Sequence, residues 1–238
     1  MLAAITDLDA YVRTREGWHT LAERVLAPAR HAATGRIGLR PAPGGIETPP
    51  FGPDDRQLRV RVGNFDIVHG DGSGANTSLT TLGPAAELAG VELAYDTGVY
   101  TATTPNDPMT EVAGDGLSAT TLVAWFAFGA DVLGNWAAER ADEAPSELQL
   151  WPEHFDLATD LGPDDARRAN YGASPGDAGH QLPYLYVGPW QPDADPFWNA
   201  GSYARLGYDE LRAAEDPVAR ALGFFAAGHD LLAGRGKS

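Results

Sequence analysis

The spacing of hydrophobic residues switches repeatedly between a helical and a strand period, and that alternation constrains this chain more than any other feature. Trp18, Leu21, Ala22, Val25, Leu26 and Ala29 fall at three- and four-residue steps, the single apolar stripe of an amphipathic helix. Pro28 has no amide hydrogen and is expected to end or kink that helix. The period then becomes two. Ile37 and Leu39 alternate with Arg36, Gly38 and Arg40, and Leu58, Val60 and Val62 alternate with Arg59 and Arg61. Gly63-Asn64 suits a two-residue hairpin turn into Phe65-Asp66-Ile67-Val68. Two to four antiparallel strands are therefore expected between residues 35 and 70, interrupted by a Pro- and Gly-rich loop over 41–53.

The same switch recurs further on. A polar connection over 70–76 leads to a short strand at 79–82, a short helix from Gly83-Pro84 through Leu88, and a strand at 91–95. Residues 101–116 read as loop. Ser118 is a candidate N-cap for a buried helix over 119–141 carrying Leu122, Trp125, Phe126, Val132, Leu133 and Trp136. Glu147 to Leu161 reads as a strand pair or one long bent strand, with further strands at 168–171 and 182–187. Asp216-Pro217, a cap followed by proline at the first helical position, starts a helix running to about Gly234. The expected class is α+β: mainly antiparallel strands with about three longer helices packed on them, in one domain over 1–238. The order helix, strands, helix, strands, helix also admits two similar halves, 1–116 and 117–238. No regular β–α alternation supports a Rossmann-type or barrel fold.

Charge narrows the partners. The chain has a net charge of −16, and residues 62–204 hold 21 Asp or Glu against three Arg and no Lys. Such a surface disfavours nucleic acid and acidic membranes and favours cationic ligands. The chain contains no cysteine, which excludes disulfides, a thiolate nucleophile and thiolate metal sites. The N-terminus lacks a basic segment followed by an apolar one, and Ala119–Trp136 is short for a membrane span and contains Asp131. A cytoplasmic protein with no nucleic-acid or membrane partner is the expectation.

Few motifs carry chemistry. Gly172-Ala173-Ser174-Pro175-Gly176 matches the G-x-S-x-G pattern, but Pro175 has no amide to serve as oxyanion donor, so a tight turn is the better reading. Gly70 to Asn76 lacks the residues of a phosphate or EF-hand loop and reads as a hairpin connection. The strongest polar cluster is Trp151-Pro152-Glu153-His154-Phe155-Asp156-Leu157. On a strand, His154 and Asp156 share one face and Glu153 takes the other, and apolar residues fall on both. Covering a carboxylate and an imidazole together requires that they pair, bind a ligand or hold a metal. A second cluster, Asn170 to His180, places Asp177 and His180 three apart on a long loop. If that loop folds over the strand, His154, Asp156, Asp177 and His180 make a nitrogen/oxygen set for a divalent metal. His154 would otherwise be a base and Asp156 its orienter. A structural hydrogen-bonded pair is the competing account. His229 reads as a core histidine, His19 and His31 flank the first helix, and His69 ends a strand.

The segments Trp151 to Ala158, Asn170 to Asp177 and Pro183 to Val187 resemble bacterial domains of unknown function, as does Thr34 to Arg40 with the helix before it. The resemblance implies no activity, only that these segments belong to one integral domain. The functional expectation is a small-molecule or metal pocket near His154, Asp156 and loop 170–180, with or without catalysis. The alternative is an accessory protein whose acidic middle meets a basic partner.

Overall fold

The structure, a computed structural model, describes residues 2–234. It is α+β, with two antiparallel five-stranded sheets of order β1-β2-β3-β4-β5 and β10-β9-β8-β7-β6. The chain divides into two compact units. One comprises residues 4–124 and 150–155, here the N-terminal unit; the other comprises residues 1–3, 125–149 and 156–238, the C-terminal unit.

The N-terminal unit opens with α1 (Leu8–Leu21), capped by Asp7, whose carboxylate accepts from the Ala10 amide. A π-helical turn, Ala22–Leu26, leads directly into α2 (Ala27–Thr34), which ends at Gly35 in the left-handed conformation. The helix thus begins ten residues before the apolar stripe and passes through Pro28 rather than stopping there. Pro28 lies in the first turn after the π turn, where its missing amide costs no regular helical hydrogen bond.

Strands β1 (Arg40–Ala42), β2 (Gly45–Glu47), β3 (Gln57–Arg61), β4 (Asn64–Val68) and β5 (Gly74–Ser78) follow as a meander. Pairing of Arg61 with Asn64 makes Val62-Gly63 the turn, one residue earlier than the sequence suggests. Ile46, Leu58, Val60, Phe65 and Ile67 are buried. On the other face Glu47 is flanked by Arg40 and Arg59, and Arg61 pairs with Asp66. Alternation at period two is what separates these two faces. Helix α3 (Leu82–Ala89) packs on β4, β5 and the first helical segment. The strand expected at 91–95 does not form; the chain runs irregularly from Gly90 to Asp115, apart from a bridge between Thr81 and Glu111.

Helix α4 (Gly116–Ala138) crosses the division between the units. Its cap is Asp115 rather than Ser118: the Asp115 carboxylate accepts from the Ser118 amide at 2.8 Å. By length and composition α4 is apolar enough to cross a membrane, and half of its most apolar stretch is buried.

In the C-terminal unit, β7 (Asp156–Leu161), β8 (Ala169–Ser174), β9 (Tyr184–Pro189) and β10 (Ala204–Gly207) pair antiparallel in chain order. Strand β6 (Gln149–Trp151) precedes them. Leu157, Tyr171, Ala173, Leu185 and Val187 form an apolar face. Against it lie Trp136 of α4 and Phe225 of α6 (Pro217–Ala233), whose rings both meet Tyr171. Asp216 caps α6 as expected, accepting from the Val218 and Ala219 amides. A short helix, α5 (Tyr208–Ala213), links β10 to α6.

Candidate functional site

The polar run 151–157 is not one strand. Residues 152–155 form a turn in which Phe155 takes φ 52°, a left-handed conformation uncommon for a bulky side chain. The strand parity expected of His154 and Asp156 is therefore lost. His154 is exposed and belongs to the N-terminal unit; Asp156 is buried and belongs to the C-terminal unit.

The other three expected residues do gather within the C-terminal unit, around a pair of tyrosines. The Tyr186 hydroxyl donates to Asp156 and the Tyr184 hydroxyl donates to Asp177. The two rings lie 6.3 Å apart, and His180 stands edge-on to Tyr184 at 5.5 Å. Asp177 also accepts from the amides of Gly179 and His180, closing the loop into a turn. Room for Tyr186 comes from Gly172 on the neighbouring strand, where a Cβ would lie 2.3 Å from the ring. Ser174 ends β8 and accepts from the Gly176 amide, a turn rather than a nucleophile elbow. Among the described residues no three His, Asp or Glu side chains are grouped to hold a metal ion, so the four-residue metal set is not assembled. The carboxylates are acceptors for tyrosine hydroxyls instead, and burial holds the Tyr186 hydroxyl well above its usual pKa.

The N-terminal unit holds a different arrangement, centred on the π turn. Glu23 is fully buried, and its carboxylate accepts from the amides of Thr103 at 3.0 Å and Thr104 at 2.8 Å. The next residue, Arg24, donates back to the same segment, to the Thr104 carbonyl at 2.9 Å and the Ala102 carbonyl at 3.2 Å. Two consecutive side chains of one widened helical turn thus clamp the backbone of the irregular 90–115 segment. Turns of this kind recur at functional sites. Ordered segments of such length without regular structure are uncommon in compact folds and are usually binding loops or lids.

Polar atoms without partners surround this clamp. His19, one turn before Glu23, lies 4.0 Å from it through Nε2, and that nitrogen is buried without a hydrogen bond. Its ring stacks on that of Phe155, with centroids 5.3 Å apart. Burial pushes His19 below its ordinary pKa, against the opposing pull of Glu23, Glu16 and the Pro152 carbonyl. Glu153 is raised, first by burial and then by Glu23, and its Oε2 has no partner. Tyr100 is raised by burial, Glu23 and Glu153, and its hydroxyl is likewise unpartnered. Buried groups left in this condition carry a desolvation penalty and call for an explanation.

Beside them opens a cleft of about 230 Å³ lined by Glu23, Arg24, Tyr95, Asp96, Thr97 and Tyr100, with Ala94, Thr101, Ala102 and Asn106 completing it. His31 fixes Tyr95, its Nδ1 lying 3.0 Å from the phenol oxygen. A second hollow, lined by Asp54, Asp55, His69, Asp71 and Ser73, is less suggestive. There Asp54 pairs with His69 at 2.6 Å and Asp71 accepts from the Ser73 amide, so the polar groups satisfy one another.

Sequence reasoning passed over His19, Glu23 and Tyr100. The available signal was Glu23 itself, a carboxylate between Ala22 and Val25 on an apolar stripe, with His19 four residues earlier. No family model, curated protein or solved structure matches this chain.

Proposed function

We propose that this protein binds a small polar molecule in the cleft between the π turn and the 90–115 segment. One observation carries the reading: the buried Tyr100 hydroxyl has no partner, and Tyr100 lines a cleft together with Glu23 and Arg24 of the clamp. A bound ligand would supply the missing hydrogen bond and offset the desolvation of that hydroxyl. The volume suits a metabolite smaller than a typical drug molecule, whose pockets run from roughly 300 Å³ upward. The expected small-molecule function is kept, and its site moves from His154, Asp156 and loop 170–180 to the N-terminal unit.

The test is a thermal-shift screen with amines, polyols and carboxylates, run on the native chain and on Ala102→Trp, which fills the cleft. A ligand at a hundred times its Kd stabilises the fold by about 2.7 kcal/mol. A compound that raises Tm in the native chain but not in the filled variant supports the reading. Failure of the whole panel, or a shift that survives in Ala102→Trp, rejects it.

A further inference from the structure

We infer that the ligand of this cleft is a compact organic cation, an inference that rests on the cleft being a binding site. Its charged lining is Glu23, Asp96 and Arg24. Arg24 is the one cation among the described lining residues, and it already directs Nε and Nη2 at the carbonyls of Ala102 and Thr104. An anionic ligand would have to draw that guanidinium away from the backbone it holds. Asp96, also in the lining, is exposed and accepts from the Gly98 amide through Oδ1. Glu23 keeps two amides and has lone pairs beyond them.

The remaining walls agree with a cation. Tyr95 and Tyr100 are both in the lining, and aromatic faces attract ammonium groups. Glu153, close enough to act on Tyr100, adds to the negative field there when ionised. The chain as a whole carries −16, which raises the local concentration of cations and excludes anions. A ligand with one positive charge and one hydroxyl would pair with exposed Asp96 through the first, in the field of buried Glu23, and offer the second to the unpartnered Tyr100 hydroxyl.

The probes are three molecules of one shape and different charge: choline, its neutral isostere 3,3-dimethylbutan-1-ol, and the anion 3,3-dimethylbutanoate. Each is titrated into the native chain by calorimetry at low salt and again at 0.5 M salt. Choline is expected to bind at one site per chain, about tenfold or more tighter than the neutral isostere. Binding should weaken in high salt and in Asp96→Asn. If the isostere or the anion binds as well as choline, the cationic preference is overturned while the cleft remains a binding site. The preference is overturned in the same way if choline fails and an uncharged panel compound still stabilises the native chain but not Ala102→Trp. If no probe and no panel compound binds, both conclusions fall.

Discussion

The two units bury their carboxylates against different partners, tyrosine hydroxyls in the C-terminal unit and backbone amides in the N-terminal one. In the C-terminal unit two carboxylates accept from tyrosine hydroxyls, Asp156 from Tyr186 and Asp177 from Tyr184, while Glu143 pairs with His229 and Asp160 with Arg168. Its orphan indole and phenol groups lie among aromatic rings, Trp136 and Tyr171 with Phe225 and Trp125 against Tyr208. In the N-terminal unit His19, Tyr100 and Glu153 leave polar atoms unpartnered, and Tyr100 lines a cleft. A carboxylate held by its own neighbours stabilises the fold. An idle hydroxyl on a residue that lines open space is placed to take a ligand. His180, whose Nε2 is also unpartnered, is the place where the contrast is least sharp.

The largest expected effect tests the clamp. Glu23→Ala removes the acceptor for two buried amides and should cost on the order of 3 kcal/mol in urea unfolding. Amide exchange at Thr103 and Thr104 should rise in step. Unchanged protection of those amides would show that the 90–115 segment does not depend on Glu23.

Next comes the Tyr186–Asp156 pair. Tyr186→Phe takes a buried hydroxyl from Asp156 and should destabilise the chain by about 2 kcal/mol. A neutral outcome would erase the distinction between the units.

Titration gives a third comparison. His19 is held below its ordinary pKa of 6.5 by burial, so the unfolded chain binds that proton more readily. The His19 contribution is therefore present above about pH 6.5 and lost as pH falls toward its folded pKa. Glu153 runs the other way. Its pKa is raised above 4.5, so its contribution is present below that pH and lost as pH rises through the folded value. His19→Gln should flatten the fall in stability below pH 6.5, and Glu153→Gln should raise stability at neutral pH, both read from unfolding midpoints across pH. Slopes identical to the native chain in both variants would mean that these groups are hydrated in solution.

The smallest effect is the most discriminating in sign. Tyr100→Phe deletes a hydroxyl with no partner and should be neutral or stabilising by up to about 1 kcal/mol, while weakening whatever ligand the cleft takes. Destabilisation comparable to that of Tyr186→Phe would show that the Tyr100 hydroxyl has an internal partner after all.

Much of the fold was legible in the chain. Period-two alternation at Leu58, Val60, Phe65 and Ile67, the glycine turn between β3 and β4, and the Asp216-Pro217 cap are local devices read within a few residues. The site was less legible. Asp156, Asp177 and His180 were singled out and do gather, but Tyr184 and Tyr186, which organise them, gave no sign beyond being strand residues. His154 was misplaced because the turn at 152–155, with Phe155 left-handed, breaks the parity that a continuous strand would impose.

By itself the sequence determined the α+β class, the strand faces, the capped helices and the anionic balance, because each depends on neighbours within a turn or a pleat. The tertiary structure alone decided that the helix passes Pro28 through a π turn, and that Glu23 and Arg24 of that turn grip Ala102, Thr103 and Thr104 some eighty residues away. Those contacts have no local period to announce them. Their gain is realised only when distant backbone is brought to a buried charge, and periodicity cannot register that.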